Sequence, residues 1–179
     1  MEEGFETGNI AQLLFKRAAM HPDRLALHIP RGLKGEEKYT YQELSDRVLR
    51  LMAGLRSEGI RKGDRVLVLF PVCTDLYALI AAIYAVGGVA LLIDPGMGAR
   101  RITQALGTAK PKAMVSVQAL FRFRFILPAL WKITIKFSLD STGWGVRPFA
   151  DLLRKVASSV YCLVHRKVGE QELINFTWG

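Results

Sequence analysis

Chemistry in this 179-residue chain is best sought at its last stretch, LINFTWG, residues 173–179. Leu173, Ile174, Asn175 and Phe176 form a short apolar run, and Thr177, Trp178 and Gly179 then open a turn. Strands that run into small-residue turns are where α/β proteins build phosphate-binding loops, with the next helix aiming its free N–H groups at the anion. No further helix follows Gly179 in this sequence, so any such loop is expected to be incomplete here.

The other chemistry-bearing residue types are scattered. His21 ends a helical stretch, His28 lies in a strand-like run, and His165 sits in a basic HRK. No His, Cys, Asp and Glu share metal-ligand spacing, and neither G-x-S-x-G nor a complete G-x-x-x-x-G-K-[ST] occurs. Cys73 and Cys162 stand 89 positions apart, too few and too distant for a disulfide framework. Both are expected to be small apolar residues in a reducing compartment, and no catalytic role is assigned to any histidine.

Composition is that of a globular domain: half the residues are apolar and 23% are charged, which speaks against disorder. A chain of this length buries about 70% of its unfolded surface. The 25 Lys and Arg against 16 Asp and Glu give a formal charge of +9. That balance favours anionic partners, or marks one basic end of a larger protein. The N-terminus, MEEGFETGNI, is acidic and lacks a cationic stretch before an apolar core, so a cytoplasmic location is expected.

The elements that would carry a site are legible from Asn9 onward. Asn9 with Gln12, and Thr40 with Glu43, are capping-box pairs that predict two helix starts. Pro22 ends the first helix near His21, and residues 25–29 read as a strand. Leu44, Val48, Leu51, Met52 and Leu55 share one face of the second helix, which Gly59 closes before a turn at Lys62, Gly63 and Asp64. Residues 66–70 are continuously apolar, as in a strand covered on both faces.

A helix over 75–87, a strand over 89–93, a helix over 99–109 and a strand over 113–117 complete a β-α-β-α-β series. The predicted fold class is therefore α/β, a mostly parallel sheet with helices on both faces. Beyond Leu120 the pattern mixes. Ile133, Ile135 and Phe137 alternate as in a strand, DSTGWGVRP reads as a loop, and residues 149–156 read as a short helix.

Two stretches admit other readings. Residues 76–93 hold eighteen positions without a charge, near the length of a membrane span, but Gly87 and Gly88 divide them into a buried helix and a buried strand. FRFRF and WKITIKF interleave aromatic and basic residues, a pattern of membrane-surface segments and of single-stranded nucleic-acid platforms. The alternative is an element whose aromatics enter the core while Arg122, Arg124, Lys132 and Lys136 stay solvated. No flanking RNA-binding signature accompanies it, so specific nucleic-acid binding is not expected, and peripheral membrane contact remains open.

Taken together, GDRVLVLFPVCTDLYALIAAIYAVGGVALLIDPGMG resembles the N-terminal region of adenylate-forming enzymes, the superfamily of acyl-CoA synthetases, peptide-synthetase adenylation domains and luciferases. The likeness rests on Gly63 and Asp64 before a buried strand, Pro71 after it, an apolar helix ending at Gly87, and a turn at Asp94 and Pro95. Upstream, YTYQELSDRVLRLMAGLRSEGI looks like that family's helix before the Gly-Asp turn. IDPGMGARRITQAL and GWGVRPFADLL are similar to a fatty-acyl branch that includes enzymes closing β-hydroxy acids to β-lactones.

The resemblance implies a ligase in which ATP and a carboxylic acid give an acyl-adenylate, and an acceptor, usually coenzyme A, displaces AMP. It implies ATP, Mg²⁺ and a small acyl substrate, with residues 1–179 as a partial N-terminal AMP-binding domain. In the family a loop rich in Thr, Ser and Gly follows a strand and holds phosphate. Thr177 would be its opening hydroxyl and Gly179 its first glycine, while Trp178 departs from the small residue expected there. The rest of that loop, the adenine and ribose motifs and the C-terminal domain are not among these residues. Because one lost phosphate-stabilising donor costs about 10² to 10³ in rate, the chain alone is expected to be inactive. The competing expectation is a non-catalytic basic module that binds an anionic membrane surface or nucleic acid.

Overall fold

The helix with the clearest start signal, α2 (Tyr41–Ser57), begins where polar side chains close its open end. Thr40 Oγ1 accepts from the Glu43 amide at 3.2 Å, and the Glu43 carboxylate accepts from the Thr40 amide at 2.9 Å. Both halves of the capping box are thus formed. At the other end Gly59 adopts φ 81°. Its N–H donates to Arg56 O at 3.0 Å while the Ile60 N–H donates to Leu55 O at 3.0 Å, and Leu55 and Ile60 are both buried. That is a Schellman closure, sealed by its apolar contact. Thr40→Ala should destabilise the domain by about 1 kcal/mol in urea denaturation, and an unchanged midpoint would refute the cap's contribution.

The computed structural model describes residues 10–31, 35–69, 71–93, 98–117, 130, 132–140 and 145–154. Around α2 the chain order is α1 (Ile10–Met20), β1 (Leu25–Pro30), β2 (Glu36–Thr40), then after α2 β3 (Arg65–Leu69), α3 (Thr74–Ala85) and β4 (Val89–Leu92). It continues through α4 (Ala99–Ala109), β5 (Ala113–Ser116), β6 (Ile135–Ser138), β7 (Arg147–Pro148) and a short α5 (Ala150–Arg154). β1 and β2 form an antiparallel hairpin. The other five strands make one parallel sheet in the order β4-β3-β5-β6-β7.

Alternation along the buried strands divides the core in two, because successive side chains leave opposite faces of a sheet. Val66 and Val68 of β3, Ala113 and Val115 of β5 and Phe137 of β6 meet α1, α2, α3 and α5 in the larger cluster. Leu67 and Met114 project the other way, onto Leu106 of α4 with Leu130, Ile133 and Val146. Helices on both faces explain why β3 and β5 carry no polar alternation.

The uncharged stretch over residues 76–93 is α3 followed by β4, broken at Gly87, where φ is 80°. Among the described residues no helix is long and apolar enough to cross a membrane. The helix expected over 99–109 has those bounds, and the strands expected over 66–70, 89–93 and 113–117 are observed as β3, β4 and β5 with ends shifted by one residue. Sequence reasoning missed β2. Its EEKYT carries too much charge to read as a strand until β1 is seen beside it. The strand expected around residues 133–137 is β6, beginning at Ile135, and the final helix is α5, described to Arg154. Asn9, the FRFRF segment, Cys162, His165 and the terminal LINFTWG lie outside the described residues.

Candidate functional site

Strand order points to one edge of the sheet. From β3 the chain crosses through α3 to β4 on one side, then returns through α4 to β5 on the other, so the order reverses between β3 and β5. In open parallel sheets ligands bind outside the carboxyl ends of the strands at such a reversal. Here that crevice is bounded by Leu69 at the end of β3, the exposed Pro71 and Val72, and Ser116 at the end of β5.

Two hydroxyls stand side by side on this edge. Ser116 and Ser138 are cross-strand partners, each the last residue of its strand, and both are buried. Ser138 Oγ donates to Asp140 Oδ1 at 2.9 Å, and Ser116 Oγ donates weakly to Val117 O at 3.3 Å. Serines ending the apolar runs AMVS and IKFS were the sequence signal for this polar floor, visible only once the two strands are paired.

The helix that follows β3 would normally offer its first N–H groups to a ligand. In this chain the first of them, at Thr74, is already engaged. Cys73, at the N-cap of α3, makes no capping hydrogen bond with its side chain. Instead the Glu37 carboxylate, from β2, accepts from the Thr74 amide at 3.0 Å and from Thr74 Oγ1 at 2.8 Å. Arg31 adds Nε at 2.9 Å and a second donor, Nη2, to the same carboxylate. The Thr74 amide, the Thr74 hydroxyl and the Arg31 guanidinium hold the Glu37 carboxyl at about 2, below its ordinary 4.5. Burial pushes the neighbouring Cys73 thiol up. In the first turn of α3, Asp75 pairs with Arg47 of α2.

At the opposite, amino end of the sheet the cations are committed to structure. Lys112 Nζ donates to Asp64 Oδ2 at 2.6 Å and to Gly59 O at 2.7 Å. Burial opposes the charge on Asp64, yet Lys112 and the Arg61 amide hold its carboxyl below the usual range. Arg65 Nη1 donates to Ala109 O at 2.9 Å, and Arg147 pairs with Glu58 while lying 4.6 Å from the Phe137 ring centroid. A shallow groove of about 670 Å³ beside Arg65, Arg101, Gln104 and Thr108 also lies at this end. It is an open shelf far from the strand-order reversal, and topology is the better guide to a site here.

At the first turn of α3 the Thr74 amide is not free to meet the phosphates of a nucleoside triphosphate. The helix end that could take phosphate holds a carboxylate, and among the described residues no three of His, Cys, Asp and Glu lie close enough to share an ion. Thr177 and Gly179, expected at a phosphate loop, lie outside the described residues, as does Trp178. His21 is exposed after α1, and His28 pairs with Glu36 at 2.6 Å on the hairpin surface. Sequence reasoning did not find Glu37 or Arg31, because the Thr74 partner is 37 positions away and no local pattern announces it.

Comparison with known proteins agrees with this architecture. The chain is 30% identical over 183 aligned positions to an olefin beta-lactone synthetase of Stenotrophomonas maltophilia, covering 96% of this chain and 32% of that relative. It is 34% identical over 115 residues to the olefin beta-lactone synthetase of Xanthomonas campestris pv. campestris, covering 61% of this chain and 21% of that protein. The chain thus spans about a third or less of the curated relatives it matches.

Among solved structures, one described as a long-chain-fatty-acid CoA ligase from Rhodopseudomonas palustris superposes with a TM-score of 0.71 at 27% identity, over 81% of this chain and 36% of that one. An acyl-CoA synthetase of Brucella canis shares the fold, with a TM-score of 0.67 at 22% identity over 80% and 27% of the two chains. Residues 14–150 match the family model described as AMP-binding enzyme, and the chain belongs to that family.

Proposed function

We propose that this chain is the N-terminal part of an ATP-dependent ligase that activates a fatty acid as its acyl-adenylate and passes the acyl group to an acceptor such as coenzyme A. The observation that carries the reading is the family match over residues 14–150, which spans the parallel sheet from β3 to β7. The likeness to the structure described as a long-chain-fatty-acid CoA ligase, at 27% identity over 81% of this chain, supports a fatty-acyl substrate. In such a ligase these residues would act as scaffold. The sheet's carboxyl edge, with Ser116 and Ser138, would face the remaining parts of the site, and the strand-to-turn LINFTWG would deliver Thr177 and Gly179 to the phosphates.

As a 179-residue polypeptide the chain should show no fatty-acid-dependent ATP–pyrophosphate exchange. Acid-dependent exchange above background would refute this, since nearly all the charge-neutralising groups that adenylation demands are missing from the described residues. The reading itself is tested by a chimera in which residues 1–154 replace the aligned part of the Stenotrophomonas synthetase. Exchange with a fatty acid in the folded chimera supports it, and a folded chimera without exchange overturns it.

A further inference from the structure

The β1–β2 hairpin stands apart from the five-stranded sheet, and a lone two-stranded hairpin is marginal in water. Apolar burial alone does little to hold it. Of its eleven residues, six in β1 and five in β2, only Ile29 is buried, while Ala26 and Leu27 rest half-buried on the larger core. At its base the hairpin is joined to α2 by the chain itself and by backbone bonds. The Tyr41 amide donates to Arg24 O at 2.9 Å, and the Gln42 amide donates to Pro22 O at 3.0 Å.

The far end is fastened differently. Glu37 is the cross-strand partner of Ile29, one step from the terminal pair Pro30 and Glu36, and Arg31 follows directly. Four donors converge on its carboxylate, two from Thr74 and two from Arg31. Among the described residues the charge-assisted bonds between the hairpin and α3 are therefore at the tip, and they supply the cap that the Cys73 side chain does not.

We propose that the β1–β2 hairpin is a strap hinged at Thr40 and locked by Glu37 onto the first turn of α3, beside the crevice at the carboxyl edge, and that it opens as a unit when that carboxylate is neutralised. The strap is a property of this chain's geometry and does not depend on the proposed ligase activity. Opening would return the first α3 amide to solvent, while β3 and β5, with their own ladders, stay closed.

The sign of the pH dependence follows from the groups that face Glu37. Arg31 stays cationic, the Cys73 thiol stays neutral with burial holding it up, and Asp75 is paired with Arg47. On the strand's other face, Glu36 is engaged by Lys38 and His28, and these hold its carboxyl below the ordinary range as well. A depressed carboxylate stabilises the closed state above the ordinary carboxylate range. The strap should therefore be locked at neutral pH and released as pH falls from about 4.5 toward about 2.

Hydrogen exchange of the 179-residue chain tests this residue by residue. Glu37→Gln keeps the shape but removes the charge, and should raise exchange across the 25–30 and 36–40 ladder about tenfold or more. Amides of β3 and β5 should be unchanged. No rise in the hairpin, or an equal rise throughout the sheet, overturns the strap. Should Glu37→Gln fail to fold, the side-chain carboxyl of the unaltered protein decides by ¹³C NMR. A midpoint well below 4.5, with hairpin exchange rising over the same pH range, supports the lock, and an ordinary midpoint overturns it.

Discussion

Gly54→Ala is expected to destabilise the domain by about 3 kcal/mol. A Cβ at this position in α2 would lie 2.3 Å from the carbonyl oxygen of Leu152 and 2.8 Å from its Cα, closer than real contacts allow. Both atoms belong to the backbone of α5, so no rotamer change relieves the clash. α5 would have to lift, which pulls Leu152 and Phe149, both buried, away from α2. Burying side chains of that size is worth about 2–3 kcal/mol each, and alanine's better helix propensity returns only about 1. Urea denaturation gives the loss directly. Because the conflict is with backbone, adding Leu152→Ala should not rescue the variant, and a rescue would show that side-chain crowding was the cause.

Phe137→Ala should cost still more, about 3–5 kcal/mol. Phe137 is 1% exposed in β6 and belongs to the larger core cluster with residues of α2 and α5, so removing its ring opens a cavity there. The guanidinium of Arg147 loses the ring face it covers, a further loss of about 0.5–1 kcal/mol, although its pairing with Glu58 remains. Set against a typical domain stability of about 5–15 kcal/mol, this change brings the chain near unfolding at room temperature. Phe137→Leu, which keeps much of the volume, should lose less than half as much. Equal losses for the two variants would place the importance in the aromatic face and not in cavity formation.

What could be read in advance was whatever depends on neighbours in sequence. The capping box of Thr40 and Glu43, the glycine closure at Gly59 and the bounds of α4 follow from residues three to five apart, where local sterics and hydrogen bonding decide. The break at Gly87 similarly resolved an uncharged stretch into a helix and a strand. The strap was not legible. Glu37 looks like one more charge in GEEKY until the fold carries Thr74 to it, and Ser116 gains meaning only when β6 sets Ser138 in register beside it. Long-range pairing leaves no trace in a single sequence unless both partners are unusual.

The strand order also says something about how the sheet can be put together. β3 comes first, β4 joins one side of it, β5 joins the other, and β6 and then β7 extend beyond β5. Each later strand thus meets an edge that is free when it arrives, and none must be threaded between two strands already bonded. A chain emerging from the ribosome can therefore build this sheet outward, in the direction of synthesis, without reopening what it has closed.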